Sequence, residues 1–133
     1  MYLRRVTITL LLLLAGQVYA AENLTQQDYD GKWNSIYATV KDEKQVLEIS
    51  LNGESIFERH FENSNSQILK TTDFKILEDL LVLTFTSPDK VFGYKMALSG
   101  WKSKSRKVLY GSMFMYRNGI QFNMLPVSYV PAN

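Results

Sequence analysis

Apolar and polar positions alternate with period two from Trp33 to Tyr129, which is the pattern of half-buried β-strands. Over the same stretch no segment sustains a helical period. The alternation predicts strands at 33–40, 45–51, 55–61, 67–77, 80–86, 91–101, 107–116 and 120–129. Only 24–29 reads as a helical turn, because Thr25 followed three residues later by Asp28 forms a capping-box pattern.

The connections are short and carry turn chemistry. Asn52-Gly53 and Asn118-Gly119 are hairpin signals, since a type I′ turn needs φ > 0 at both central residues. Ser87-Pro88-Asp89 and Asn63-Ser64-Asn65-Ser66 are turn-forming clusters as well. None of these links has room for the crossover helix of a parallel pair. The predicted fold is therefore all-β, an antiparallel meander of about eight strands that closes as a small barrel or flattens into a sandwich.

Alternation also assigns faces. Phe92, Tyr94, Met96 and Leu98 share one face of their strand, opposite Gly93, Lys95, Ala97 and Ser99. In the next strand Val108, Tyr110, Phe114 and Tyr116 are taken as the inward set. That leaves Leu109, Met113 and Met115 outside, together with the apolar run 80–85, as a surface needing a second cover. A homodimer interface is one such cover, and loops or termini of the same chain are another.

The N-terminus has its own pattern. Arg4 and Arg5 precede an apolar run built on five consecutive leucines, and Val18-Tyr19-Ala20 suits a cleavage site. The run is shorter than the roughly 20 residues of a spanning helix. Residues 1–20 thus read as an export signal and 21–133 as a single β-barrel-like domain, with no stable membrane anchor. The chain has no cysteine, which removes disulfides, thiolate metal sites and cysteine nucleophiles. A small exported protein without disulfides fits a bacterial periplasm or secretion from a bacterium. The formal net charge of +2 resides in the two signal arginines. The remainder is neutral, with no global attraction to nucleic acid.

Catalytic equipment is sparse. His60, the single histidine, shares a strand face with Glu58 and reads as a surface or structural group more readily than as a general base. Asp28-Tyr29-Asp30-Gly31 opens like a calcium loop but lacks the later ligands, so it reads as a turn into the first strand. No enzyme, metal or cofactor is expected.

Two groups suit binding. Trp33, Tyr94, Met96, Tyr110, Phe114 and Tyr116, with Phe122 and Met124, supply adaptable apolar surface and hydroxyl donors; ordinary core packing produces the same stripe. Arg59 alternates with Phe57 and Phe61, so if that face is interior its guanidinium must meet an acid, a carbonyl or a bound anion. Lys102, Lys104, Arg106 and Lys107 form a basic loop after Trp101, which suits an acidic partner, a phosphate or lipid headgroups, or serves as a solvated hairpin tip; Trp101 and this loop are the candidate partner-binding element.

Gly31-Lys32-Trp33 resembles the G-x-W entry of lipocalins and avidins, small β-barrel binding proteins in which the tryptophan follows a helical turn and plugs the barrel base. Phe92-Gly93-Tyr94 with Trp101-Lys102 is similar to a later avidin segment, and Arg117-Asn118-Gly119 to a late hairpin of that family. The avidin asparagine and Gly-Ser after the entry tryptophan are absent, so biotin binding is not implied. The expected function is an exported, non-catalytic binding protein holding a small apolar or aromatic ligand in the barrel mouth. The alternative is an inhibitor or immunity protein for an exported enzyme such as a lysozyme.

Overall fold

The computed structural model describes residues 21–36, 43–62, 65–71 and 73–133. The segment 1–20, expected to be an export signal, the second half of the strand expected at 33–40, and Asn63-Ser64 lie outside them. The described chain forms β1 (Glu22–Asn23), a single helical turn α1 (Gln26–Tyr29), then β2 (Gly31–Ser35), β3 (Glu43–Ile49), β4 (Ser55–Phe61) and β5 (Ser66–Thr71). It continues with β6 (Phe74–Leu77), β7 (Leu80–Thr86), β8 (Phe92–Lys102), β9 (Lys107–Arg117) and β10 (Ile120–Pro131).

Nine of these strands form one antiparallel path, β5-β4-β3-β2-β10-β9-β8-β7-β6, nearly closed into a barrel. The last strand returns to the first: Tyr129, Val130 and Pro131 pair with Ser35, Asn34 and Trp33. Every neighbour on the path is antiparallel, so β5 and β6 at its two ends run in the same sense. They are two halves of the single strand expected at 67–77. The first half pairs with β4, and the second crosses to pair with β7. Asp73 N–H donates to Thr71 Oγ1 at 2.9 Å, a side-chain turn that takes the backbone out of the ladder at this bend.

A barrel of this size is just wide enough for side chains to fill. Leu47, Phe57, Leu69, Leu83, Phe85, Met96, Leu98 and Tyr129 point inwards and are fully buried. The Phe57 ring meets Phe85 at 5.6 Å and Tyr94 edge-on at 6.1 Å, separations at which aromatic pairs attract.

β8 alternates as its pattern predicts, with Tyr94, Met96 and Leu98 inside. The faces of β9 are the reverse of those expected. Leu109, Met113 and Met115 are core residues, whereas Tyr110 is exposed and Phe114 and Tyr116 are half-buried on the outside. Leu109 pairs with Gly100, Met113 with Met96 and Met115 with Tyr94, and partners in a ladder share a face. An interface built on Leu109, Met113 and Met115 is thereby excluded, since their cover lies within the chain.

The two Asn-Gly turns also differ. Asn118 (φ 50°) and Gly119 (φ 80°) both adopt the left-handed conformation and close the β9–β10 hairpin as expected. Neither Asn52 nor Gly53 does, so that link is not a type I′ turn. It is a wider loop, held by Ser50 N–H on Ser55 Oγ (3.2 Å) and Leu51 N–H on Asp30 Oδ1 (3.1 Å).

Candidate functional site

One end of the barrel is sealed. Thr25 donates its N–H and its hydroxyl to Asp28 Oδ2, which fixes α1. α1 leads through Asp30 into Trp33, buried at the base with its indole N–H on the Tyr29 carbonyl at 3.0 Å. Leu24 sits on Gly100, where a Cβ would lie 2.2 Å from its Cδ1, so only glycine leaves room for this lid. Asp30, in extended backbone, and Gly31, at φ 129°, carry the chain from α1 into β2, and the carboxylates of Asp28 and Asp30 are structural. Asp28 accepts from Lys102 Nζ at 2.8 Å and lies 3.5 Å from Lys107 Nζ. The Lys102 hydrogen bond, with that of the Thr25 N–H, holds the Asp28 carboxyl well below the usual carboxylate range. Asp28 in turn raises the Lys102 ammonium.

A buried polar layer lies towards the opposite end. Arg59 donates Nε to Glu43 Oε1 and Nη2 to Glu43 Oε2 at 3.1 Å, a forked pair. Its Nη1 donates to the Tyr94 hydroxyl at 3.0 Å, and that hydroxyl donates to Gln67 Oε1 at 3.2 Å. Alongside, the Tyr129 hydroxyl donates to Gln45 Oε1 at 2.6 Å, and Gln45 Nε2 reaches Glu43 Oε1 at 3.4 Å. Burial works against the Arg59 charge, but the Glu43 carboxylate outweighs it and keeps the guanidinium protonated. Burial, reinforced by the Glu43 charge, pushes the Tyr129 phenol above the usual tyrosine range. Among the described residues no enclosed side-chain nitrogen or oxygen lacks a partner.

Above that layer stands an apolar rim. Phe92 continues the inward face of Tyr94 and packs against the core. Its ring lies 6.5 Å from that of Phe122, which projects from the bulge in β10 between Gln121 and Asn123. The Arg117 guanidinium covers Phe92 at 5.8 Å. Phe122 is 53% exposed and Ile120, paired with Arg117, is 72% exposed. Two turns brace the rim, since Asn118 N–H donates to the Val91 carbonyl at 2.7 Å and Lys90 N–H to that of Ser87 at 2.9 Å.

The residues expected to hold a ligand therefore do not form one site. Trp33 is the base plug, Met96 is core, and Tyr94 and Arg59 belong to the polar layer. Tyr110, Phe114 and Tyr116 lie on the outer surface, as does Met124, paired with Phe114. Phe122 alone of the set reaches the rim. The basic loop also separates. Trp101 is half-buried within β8, between Asn23 and Val108. Lys102 and Lys107 are turned to Asp28, which leaves Lys104 and Arg106 at a tight hairpin where Ser103 N–H meets the Arg106 carbonyl at 2.8 Å. His60 Nε2 lies 2.9 Å from Glu58 Oε2 on the outer face, as alternation placed it.

Sequence reasoning missed Glu43, Gln45 and Gln67 as interior groups. Glu43 falls two positions before the strand start expected at Gln45, yet it continues the alternation of Gln45, Leu47 and Ile49. Extending that alternation by one step supplies the acid that Arg59 required. Ile120 and Phe92 carried no signal, because an apolar residue at a strand end reads as core. Comparison with protein-family models, with curated proteins and with solved structures finds no match to this chain.

Proposed function

We propose that this chain is an exported binding protein that takes a small apolar or aromatic ligand at the mouth of its barrel. The observation that carries the reading is the rim itself, where Phe92 and Phe122 pack ring to ring at the end away from Trp33, and Ile120 and Phe122 are exposed. Burying a side chain of this kind contributes about 1.5–3 kcal/mol, and a ligand that covered two of them would gain most of that. The floor is neutral, since Glu43 already balances Arg59, so the site favours an uncharged or weakly polar body. Arg117 adds one positive charge at the edge.

Native mass spectrometry of protein purified from its own host tests the proposal. A bound mass of small-molecule size is expected, lost in Phe122→Ser together with the stabilisation the ligand gives in a thermal melt. Repeated recovery of empty protein, with no melting shift across a broad panel of apolar metabolites, would count decisively against it.

A second reading is an exported protein partner, an enzyme such as a lysozyme, and a separate observation favours it. The outward rows Thr86-Gly93-Tyr116-Gln121, Thr84-Lys95-Phe114-Met124 and Val82-Ala97-Ser112-Pro126 cross β7 to β10 with Lys95 as their one charged side chain. The opposite wall, β2 to β5, presents Lys32, Lys44, Glu48, Glu58 and Lys70. A broad, nearly uncharged sheet face is the type of surface that a partner covers. Under this reading Phe114→Lys abolishes capture of the partner and Phe122→Ser spares it, the reverse of the pattern expected for a mouth ligand.

A further inference from the structure

At the sealed end, α1 and the segment before it border a partly open cleft of about 410 Å³ against the β6–β7 turn and the outer flank of β8 and β9. It has the volume of a small-molecule site. Its chemistry differs from that of the mouth: Tyr29, Tyr110, Glu78, Asp79, Gln26 and Ser99 supply phenols, carboxylates, an amide and a hydroxyl, and no lysine or arginine lines it.

Two features of the lining point to an occupant. First, Tyr29 is 95% buried, being 5% exposed, yet its hydroxyl makes no hydrogen bond with any described residue. Because no enclosed polar atom here lacks a partner, that hydroxyl is not sealed off, and its access is to the cavity it lines. A phenol held on a packed ring and left open to a cavity is ready to exchange a hydrogen bond with a ligand. Second, neither Glu78 nor Asp79 takes part in an ion pair among the described residues, whereas Asp28 on the neighbouring turn is engaged by two lysines. Ser99 Oγ donates to the Asp79 carbonyl at 3.3 Å, so the acidic turn is tied to the cavity wall by its backbone while its carboxylates stay free. Burial raises the Tyr29 phenol, and the negative charge of Asp79 raises it further, so the carboxylate field reaches the interior.

The combination selects a cation. Aromatic faces attract an ammonium by their quadrupole, carboxylates attract it by charge, and a phenol oxygen accepts from its N–H groups. Among the described residues no cluster of three or more His, Asp or Glu side chains is placed to hold a metal ion, so the donor set suits an organic ammonium. We propose that this cavity binds a small alkylammonium compound, with the cationic head between the Glu78-Asp79 turn and the two tyrosines and the alkyl part against Leu24 and Ile76.

Calorimetric titration of the protein with n-butylammonium, tetramethylammonium and, as the uncharged control, n-butanol tests this. Both cations are expected to bind saturably and butanol not to bind. Asp79→Asn should weaken both by about tenfold, equivalent to about 1.4 kcal/mol. Tyr29→Phe keeps the ring and removes only the hydroxyl, so it should weaken n-butylammonium and leave tetramethylammonium, which has no N–H, unchanged. The mouth variant Phe122→Ser should bind both cations as the parent does, which separates this site from the apolar one. Equal binding of butanol, or cation binding indifferent to both Asp79→Asn and Glu78→Gln, or no saturable binding by either cation, overturns the proposal.

Discussion

At the residue scale, the Arg59–Glu43 pair shows how a charge can sit inside a small barrel. The Arg59 and Glu43 side chains are 9% and 0% exposed. Removing a single partner leaves the other buried and uncompensated, a loss of about 3–5 kcal/mol, whereas removing both with apolar groups of similar volume is close to neutral. Glu43→Gln should therefore lower the urea-derived stability by about 3 kcal/mol, and Glu43→Gln with Arg59→Met should recover most of it. Additive losses in the double variant would mean that the pair is not the element being balanced. Asp28 offers a pH counterpart. Its carboxyl is held below the ordinary value of 3.8, chiefly by Lys102, so its contribution is full above that value and is lost as the pH falls through the lower folded one. Asp28→Asn should be less stable than the parent at neutral pH and lose less on acidification. A parallel fall of the two stability curves below about pH 4 would show that Asp28 carries none of the acid dependence.

At the element scale, the reversed faces of β9 decide a substitution that could otherwise be read in two ways. Met113 is fully buried opposite Met96, while the adjacent Phe114 lies outside between Lys95 and Met124. Met113→Lys should destroy cooperative folding, and Phe114→Lys should fold with a loss of roughly 1 kcal/mol or less. The two unfolding curves, measured side by side, check the register directly. Most of the strand pattern was legible because alternation is a local property: β4 and β7 run over the expected residues, and β8 and β10 differ by a residue or two at their ends. β9 was misread because both of its faces are apolar, so local pattern cannot choose between two registers. The choice is made by the neighbour, since Tyr94, Met96 and Leu98 are inside and their ladder partners must follow. The bend between β5 and β6 was hidden for a similar reason. Nothing in 67–77 distinguishes a strand with one partner from a strand that changes partners midway. The polar layer was legible only by half, since Arg59 declared its need for an acid but the acid lies 16 positions away on β3.

At the scale of the whole molecule, the barrel has two seams of different kinds, and they make opposite predictions. One is the return of β10 to β2, where Tyr129, Val130 and Pro131 pair with Ser35, Asn34 and Trp33, and Ala132 N–H donates to the Lys32 carbonyl at 2.8 Å. Tyr129 is fully buried there and its hydroxyl satisfies Gln45. Ending the chain at Val127 removes that aromatic side chain, worth about 3–5 kcal/mol, along with the ladder, and leaves Gln45 unsatisfied. The sum is comparable to the roughly 5–15 kcal/mol that holds an ordinary domain together. The truncated chain should show no cooperative urea transition. The other seam lies between β5 and β6, where the ladder is interrupted and β5 packs beside β7 without a strand pair. A circular permutant that links Asn133 to Ala21 through a short glycine-rich spacer and begins at Asp73 keeps every strand pair in place. It should fold with the parent's far-ultraviolet circular dichroism and a cooperative transition, at a modest cost in stability. If the permutant fails to fold while the truncated chain retains a cooperative transition, the joint between the first and last strands is not what closes this barrel.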